Sequence, residues 1–98
     1  MKTQSEREKL LKQAIQITTS DRNKQYGNPE DNFRVIAGFW STYLTAAQGC
    51  DIVLSPADVA QMMILFKTAR LATNPTHYDS ILDQAGYAAC AADCIPSA

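Results

Sequence analysis

Apolar residues recur every three or four positions in four stretches of this chain, and each stretch predicts an α-helix. The first is predicted over about 6–20. Ser5 and Glu8 have the spacing of a capping box, which marks its start. Polar residues cover the rest of this helix, so one face is expected to be buried. The apolar stripe consists of Leu10, Leu11, Ala14, Ile15 and Ile17.

The second helix is predicted over 29–48, where Asn28 serves as N-cap, a proline fills the first turn and Gly49 ends the helix. After Arg34 this helix carries no charged residue. A helix with so bare an outer face usually has neighbours on both sides, which predicts a homo-oligomer. The apolar positions are Phe33, Ile36, Ala37, Trp40, Tyr43, Leu44 and Ala47.

The third helix is predicted over 56–73, with Ser55 as its N-cap and a proline in its first turn. Its first half has apolar residues on every side, so we expect it to be the most buried helix of the fold. The fourth helix is predicted over 77–94. Thr76 followed by Asp79 is interpreted as a capping box that starts it.

Four helices with short links predict an all-α fold, an antiparallel four-helix bundle in one domain over 1–98. The composition, 46% hydrophobic and 19% charged, is that of a globular protein. The polar N-terminal residues predict no signal peptide, and no apolar run approaches the roughly 18 residues of a membrane span. A cytoplasmic protein without a membrane partner is therefore expected. Three cysteines argue against a disulfide framework.

The cations are distributed unevenly along the chain. Seven of the nine Lys and Arg residues fall within the first 34 positions, so Lys67 and Arg70 are the only cations after Val35. The net charge of -1 predicts no nucleic-acid partner. Lys67 and Arg70 share one helical face and could hold a phosphorylated ligand. The alternative, that they only form salt bridges, stays open.

The fourth predicted helix carries Asp79, Asp83 and Tyr87 at a spacing of four, which places them on one face. Two carboxylates one turn apart suit a divalent cation such as Mg²⁺. The alternative is that Asp79 caps the helix and Asp83 pairs with Lys67 or Arg70. Both interpretations remain open.

A second candidate anion site lies where the first helix ends and the second begins. Arg22, Lys24 and Tyr26 come shortly before a helix N-terminus, which attracts anions. Glu30 and Asp31 occupy the first turn of that helix, however, so ordinary helix capping explains the same residues.

Several blocks of the sequence resemble a small helical domain of unknown function that is common in tailed bacteriophages and prophages. The resemblance covers about residues 21–89 and implies a phage protein that works in the cytoplasm of the infected bacterial host. The blocks are DRNKQYGNPEDNF, IAGFWSTYL, SPADVAQMMILFKTARL and NPTHYDSILDQAGYAA.

The set Lys67, Arg70, Asp79, Asp83 and Tyr87 is also similar to a nucleotide-modification-associated helical domain and, more distantly, to MazG-like all-α nucleoside triphosphate pyrophosphatases. Those enzymes hold Mg²⁺ between acidic residues of two helices. The resemblance would make the two aspartates one of these acidic helices. The second acidic helix has no match in this sequence.

Three hypotheses about function follow. The first is a phage protein that binds a phosphorylated or cyclic nucleotide through Lys67, Arg70, Arg22, Tyr26 and Tyr87. It would serve phage nucleotide metabolism or sequester a host nucleotide signal. The second is a Mg²⁺-dependent MazG-like nucleotide pyrophosphatase. The third is a counter-defence or adaptor protein that binds a host protein. The first accommodates the sparse cations and the incomplete acidic set best.

Overall fold

The computed structural model describes residues 4–19 and 28–95, and every regular element in these two ranges is an α-helix. The all-α prediction is confirmed, and the described helices lie within one residue of their predicted limits, with the end of α1 at the edge of the described range. None of the described helices combines the length and the apolar character that crossing a membrane requires. The helices are α1 (Glu6–Thr19), α2 (Pro29–Gln48), α3 (Pro56–Thr73) and α4 (Tyr78–Asp93).

The predicted signals at the end of α2 and the start of α3 are confirmed. Gly49 has a φ of 73°, in the left-handed region, and its N–H donates to the Thr45 carbonyl at 3.0 Å. The Asp58 N–H donates to Ser55 Oγ at 3.1 Å, and the Ser55 N–H donates to Asp58 Oδ2 at 2.9 Å. This reciprocal capping box fixes where α3 starts.

The predicted start of α4 is wrong by one position. Its N-cap is His77 rather than Thr76, because the His77 N–H closes a turn on the Asn74 carbonyl at 3.1 Å and leaves Thr76 inside that turn. His77 makes no side-chain capping bond; instead its Nδ1 lies 2.7 Å from Ser80 Oγ. Ser80 is fully buried, so this contact satisfies its hydroxyl.

The core lies where α2, α3 and α4 meet, and each of these three helices contacts the other two. The residues that share this core are Phe33, Ala37, Val59, Ala60 and Cys94. The links between successive helices are short, so α2–α3 and α3–α4 are antiparallel hairpins. These two hairpins agree with the antiparallel arrangement predicted for the last three helices.

Among the described helices, α1 contacts only α4. The Tyr78 hydroxyl donates to Gln13 Oε1 near the start of α4, and Gly86 lies against Ile17 and Thr18 two turns later. The contacts therefore advance in the same direction along both helices. Gly86 is buried and has no side chain, which allows α1 to approach closely.

The prediction that α3 is the most buried helix is wrong for the single chain. Only Val59 and Ala60 of this helix are buried, whereas Leu65 is 65% exposed. The reason is the position of α1, which packs on α4 and leaves the outer side of α3 uncovered by the described helices. The apolar residues on that side therefore face outward.

Candidate functional site

The second half of α3 brings both late cations to one exposed aromatic ring. Lys67 Nζ lies 5.6 Å from the centroid of the Phe66 ring, and Arg70 Cζ lies 5.5 Å from the same centroid. Arg70 follows Phe66 by one helical turn, which explains the contact. Phe66 remains 48% exposed, so much of its ring is open to a ligand. We call Phe66, Lys67 and Arg70 the Phe66 site.

Lys67 is already paired across the interface of α3 and α4. Its Nζ lies 3.0 Å from Asp83 Oδ2, and the two side chains are 14% and 34% exposed. This pair is one of the two alternatives predicted for Asp83. At such a distance the carboxylate balances most of the ammonium charge, so Lys67 adds little net positive charge to the site.

Arg70 is different from Lys67 because no carboxylate among the described residues lies within ion-pairing distance of it. Its guanidinium contacts the Phe66 ring and is otherwise exposed. An exposed guanidinium beside an open aromatic ring can bind an anion through two parallel N–H donors. Arg70 therefore supplies the net charge of the Phe66 site.

The two aspartates predicted to bind metal have different surroundings. Asp79 is exposed in the first turn of α4, and its carboxylate makes no hydrogen bond or ion pair with any described residue. Asp83 is engaged by Lys67. No group of three or more His, Cys, Asp or Glu residues that could hold a metal ion occurs in residues 4–19 and 28–95. Asp83 is thus engaged by a cation, and the Mg²⁺ site predicted at Asp79 and Asp83 stays a prediction.

Of the remaining predicted site residues, Tyr87 is the one that lies within the described part of the chain. Tyr87 is half-buried against the core, with its ring centroid 6.2 Å from that of Phe33. Core packing therefore accounts for its ring. Arg22 and Tyr26 lie outside the described residues, so the anion site predicted there stays a prediction.

Sequence reasoning missed Phe66 and Gln84. Phe66 lies in the helix that the apolar pattern predicts to be buried, although its spacing of four from Arg70 is typical of a cation–π pair on a helix surface. Gln84 Nε2 donates to Thr68 Oγ1 at 2.8 Å and to the Ile64 carbonyl at 3.4 Å. These bonds hold α4 against α3 beside the Lys67–Asp83 pair, and no sequence pattern points to them.

A second exposed feature runs along α2. Val35, Phe39 and Tyr43 are 58%, 72% and 71% exposed and follow one another at a spacing of four. We call these three residues the α2 stripe. No charged residue follows Arg34 in this helix, so the stripe has no polar interruption other than small hydroxyl residues. Apolar surface of this kind is typical of a protein interface.

Two further features lie near the N-terminus of α2, a groove and a buried thiol. An open groove of about 360 Å³ lies between α1 and α4, with Leu11, Ile15, Ala85 and Ala89 among its lining residues. Burial raises the pKa of the Cys94 thiol above its ordinary value, and the nearby carboxylate of Glu30 raises it further. A raised pKa keeps this thiol protonated, so Cys94 acts as a core residue rather than as a nucleophile.

Comparisons with known proteins agree with the helical phage resemblance. The chain is 42% identical over 83 residues to the Gene 55 protein of Mycobacterium phage D29, which covers 85% of this chain and 51% of that protein. It is 38% identical over 79 residues to the Gene 55 protein of Mycobacterium phage L5, covering 81% of this chain and 47% of that protein. The chain thus spans about half the length of these relatives.

No solved structure matches the chain. A family match covers most of its length, residues 9–95, and includes all the helices of the core. The resemblance to a phage domain of unknown function is therefore confirmed, while the more distant likeness to MazG-like enzymes stays a prediction. The chain belongs to the family described as Domain of unknown function (DUF6378).

Proposed function

We propose that this phage-type protein binds a phosphorylated nucleotide at the Phe66 site, either in phage nucleotide metabolism or to sequester a host nucleotide signal. The proposal is carried by one observation: the two cations that follow Val35 both contact one half-exposed aromatic ring. An aromatic ring beside cations can bind a nucleotide through both its base and its phosphate. The base stacks on the ring, and the phosphate binds a cation.

Each residue of the Phe66 site has a distinct role in the proposed complex. Phe66 stacks on the base, and such stacking contributes about 1–3 kcal/mol per base. Arg70 binds the phosphate with two N–H donors. Lys67 is held in place by Asp83 and adds a weaker attraction. This arrangement binds a nucleotide and supplies no group for its hydrolysis, so capture is the proposed activity.

The proposed pocket is completed by a second copy of the chain. In a single chain Phe66 and Leu65 lie on an outer helix face, and a ligand there would be covered on one side only. Ligand sites usually enclose most of the ligand surface, so a second wall is needed. The uncharged α2 stripe and the outer face of α3 offer apolar surface for self-association. A homo-oligomer is therefore part of the proposal.

The first test measures nucleotide binding by isothermal titration calorimetry and thermal shift, using mono-, tri- and cyclic nucleotides with and without Mg²⁺. A ligand that binds only the folded protein raises its melting temperature. We expect Arg70→Ala to weaken binding by at least about tenfold, since it removes a charge-assisted contact worth roughly 1.5–3 kcal/mol.

Arg34→Ala is the matched control, because Arg34 is an exposed arginine paired with Glu30 at 3.0 Å on another helix. It should leave nucleotide affinity unchanged. Phe66→Leu keeps an apolar side chain and removes the stacking surface, so it should also weaken binding. If no nucleotide binds the unaltered protein, or if Arg34→Ala weakens binding as much as Arg70→Ala, the Phe66 site is not a nucleotide site. Product analysis of each mixture separates capture from hydrolysis.

The α2 stripe favours a second candidate function, in which the protein is a counter-defence or adaptor protein that binds a host protein. The exposed Phe39 and Tyr43 rings have the character of interface anchors. The two candidates differ in which residues matter. Under this second function Phe39→Glu abolishes capture of the host protein, whereas Arg70→Ala and added nucleotides have no effect.

A further inference from the structure

The salt bridge beside the Phe66 site has a consequence for the charge of the ligand. Lys67 is compensated by Asp83 at 3.0 Å, and Arg70 has no acidic partner among the described residues. The three groups together therefore present one net positive charge. Asp79, a further carboxylate on α4, is exposed and has no cationic partner in the described part of the chain.

Few other cations are available to attract an anionic ligand to the Phe66 site. Lys67 and Arg70 are the only cations from Val35 to the C-terminus. On α1, Lys9 Nζ lies 5.7 Å from the centroid of the Tyr78 ring, and Lys12 Nζ lies 3.6 Å from Glu8 Oε1. A ligand with several negative charges thus finds one uncompensated cation, Arg70, among the groups of this site.

We infer that the Phe66 site selects a nucleotide phosphodiester, such as a cyclic nucleotide, and that Asp83 is the residue that sets this preference. This inference rests on the proposed function and names the ligand class for the same site. A phosphodiester carries about one negative charge, which matches the single uncompensated charge of Arg70. A terminal phosphate carries about -1.5 to -2 near neutral pH, and a triphosphate carries more.

Asp83 acts on selectivity through Lys67 and does not need to contact the ligand. When the carboxylate is present, most of the ammonium charge is balanced and Arg70 supplies the main attraction for anions. When it is absent, Lys67 becomes a second uncompensated cation next to the Phe66 ring. The site then favours a more highly charged phosphate. Asp83 is in this sense a positioning and specificity-determining residue.

The experiment compares ligands that share a base and differ in charge: 3′,5′-cyclic AMP, AMP and ATP, with the corresponding guanine set. Calorimetry is done with the full chain in buffer containing EDTA, so that no divalent cation reduces the charge of ATP. The cyclic nucleotide of at least one set should bind tighter than its triphosphate. Tighter binding of the triphosphate in both sets would overturn the inference and leave the proposed function intact.

Asp83→Asn tests the role assigned to the carboxylate. It should shift the ratio of ATP to cyclic AMP affinity about tenfold toward ATP, the effect of one unit charge at several ångströms in a partly exposed site. Asp51→Asn removes the same charge from the exposed linker before α3 and should leave the ratio unchanged.

The order of nucleotide affinities is measured on the unaltered protein, so it does not require either variant to fold. Circular dichroism checks that Asp83→Asn and Asp51→Asn are folded. An unchanged ratio in folded Asp83→Asn, or an equal shift in Asp51→Asn, would remove Asp83 from the explanation. If none of the six nucleotides binds, the proposed function fails and this inference fails with it.

Discussion

Individual polar side chains fix the linker between α2 and α3. Thr45 Oγ1 accepts a hydrogen bond from the Ile52 N–H at 2.9 Å and donates one to the Ile52 carbonyl at 3.1 Å. Ser41 Oγ accepts from the Leu54 N–H at 2.8 Å. Two hydroxyl groups of α2 thus replace the backbone partners that a linker lacks. They fix the course of the linker that leads into α3.

Thr45→Val tests this role at the scale of one residue. Valine keeps the volume of threonine and removes both hydrogen bonds to Ile52, so we expect the free energy of unfolding to fall by about 1–3 kcal/mol. Urea denaturation followed by circular dichroism measures it. Thr45→Ser keeps the hydroxyl and should lose clearly less stability. Equal losses in both variants would show that the methyl group, rather than the hydrogen bonds, holds the linker.

At the scale of the elements, the sequence predicted the helix ends but not how the helices pack. The start of α3 and the end of α2 depend on residues within one turn, namely Ser55, Asp58 and Gly49, and local signals predicted them. The docking of α1 on α4 alone depends on long-range contacts that no periodicity encodes. The exposure of Phe66 follows from that docking, which is why a helix apolar on every side was assigned to the core.

The close approach of α1 to α4 predicts coupling between Gly86 and Ile17. A methyl group at Gly86 would lie 3.3 Å from Ile17 Cδ1, which is too close for an ordinary contact. Gly86→Ala gains up to about 1 kcal/mol in helix propensity and loses part of it by displacing Ile17. Ile17→Val removes the Cδ1 atom.

A double-mutant cycle should therefore show the pair Gly86→Ala and Ile17→Val to be more stable than the sum of the single changes, by about 0.5–1 kcal/mol. The free energies of unfolding of the four proteins provide the measurement. Strict additivity would mean that α1 does not approach α4 at this glycine.

At the scale of the whole molecule, the isolated chain leaves much apolar surface uncovered. Its radius of gyration is 15.7 Å, whereas a compact chain of about 100 residues has roughly 13 Å. Several large apolar side chains that would normally be buried in a core are exposed, namely Phe39, Tyr43, Leu65 and Phe66. Contacts between copies would bury this surface, and the Phe66 site would then lie beside an interface.

The α2 stripe provides the test of self-association. We expect sedimentation velocity to show dimers or larger species at micromolar concentration, and Phe39→Glu to raise the dissociation constant at least about tenfold, since it places a charge in an apolar interface. Val53→Glu adds the same charge at an exposed linker position and should have little effect. A chain that sediments as a monomer at all concentrations would remove the second copy from the proposal.

Among the described helices α1 packs on α4 alone, and this has a consequence for how the protein opens. Each of α2, α3 and α4 contacts the other two, so we expect these three helices to unfold as one unit. Helix α1 can separate from α4 without disturbing the core that they share. Its detachment would uncover the small-residue surface around Gly86 and Ala89, which an equivalent helix from another copy could occupy. For the proposed homo-oligomer we therefore expect exchange of the first helix between copies to be one low-cost route to dimers.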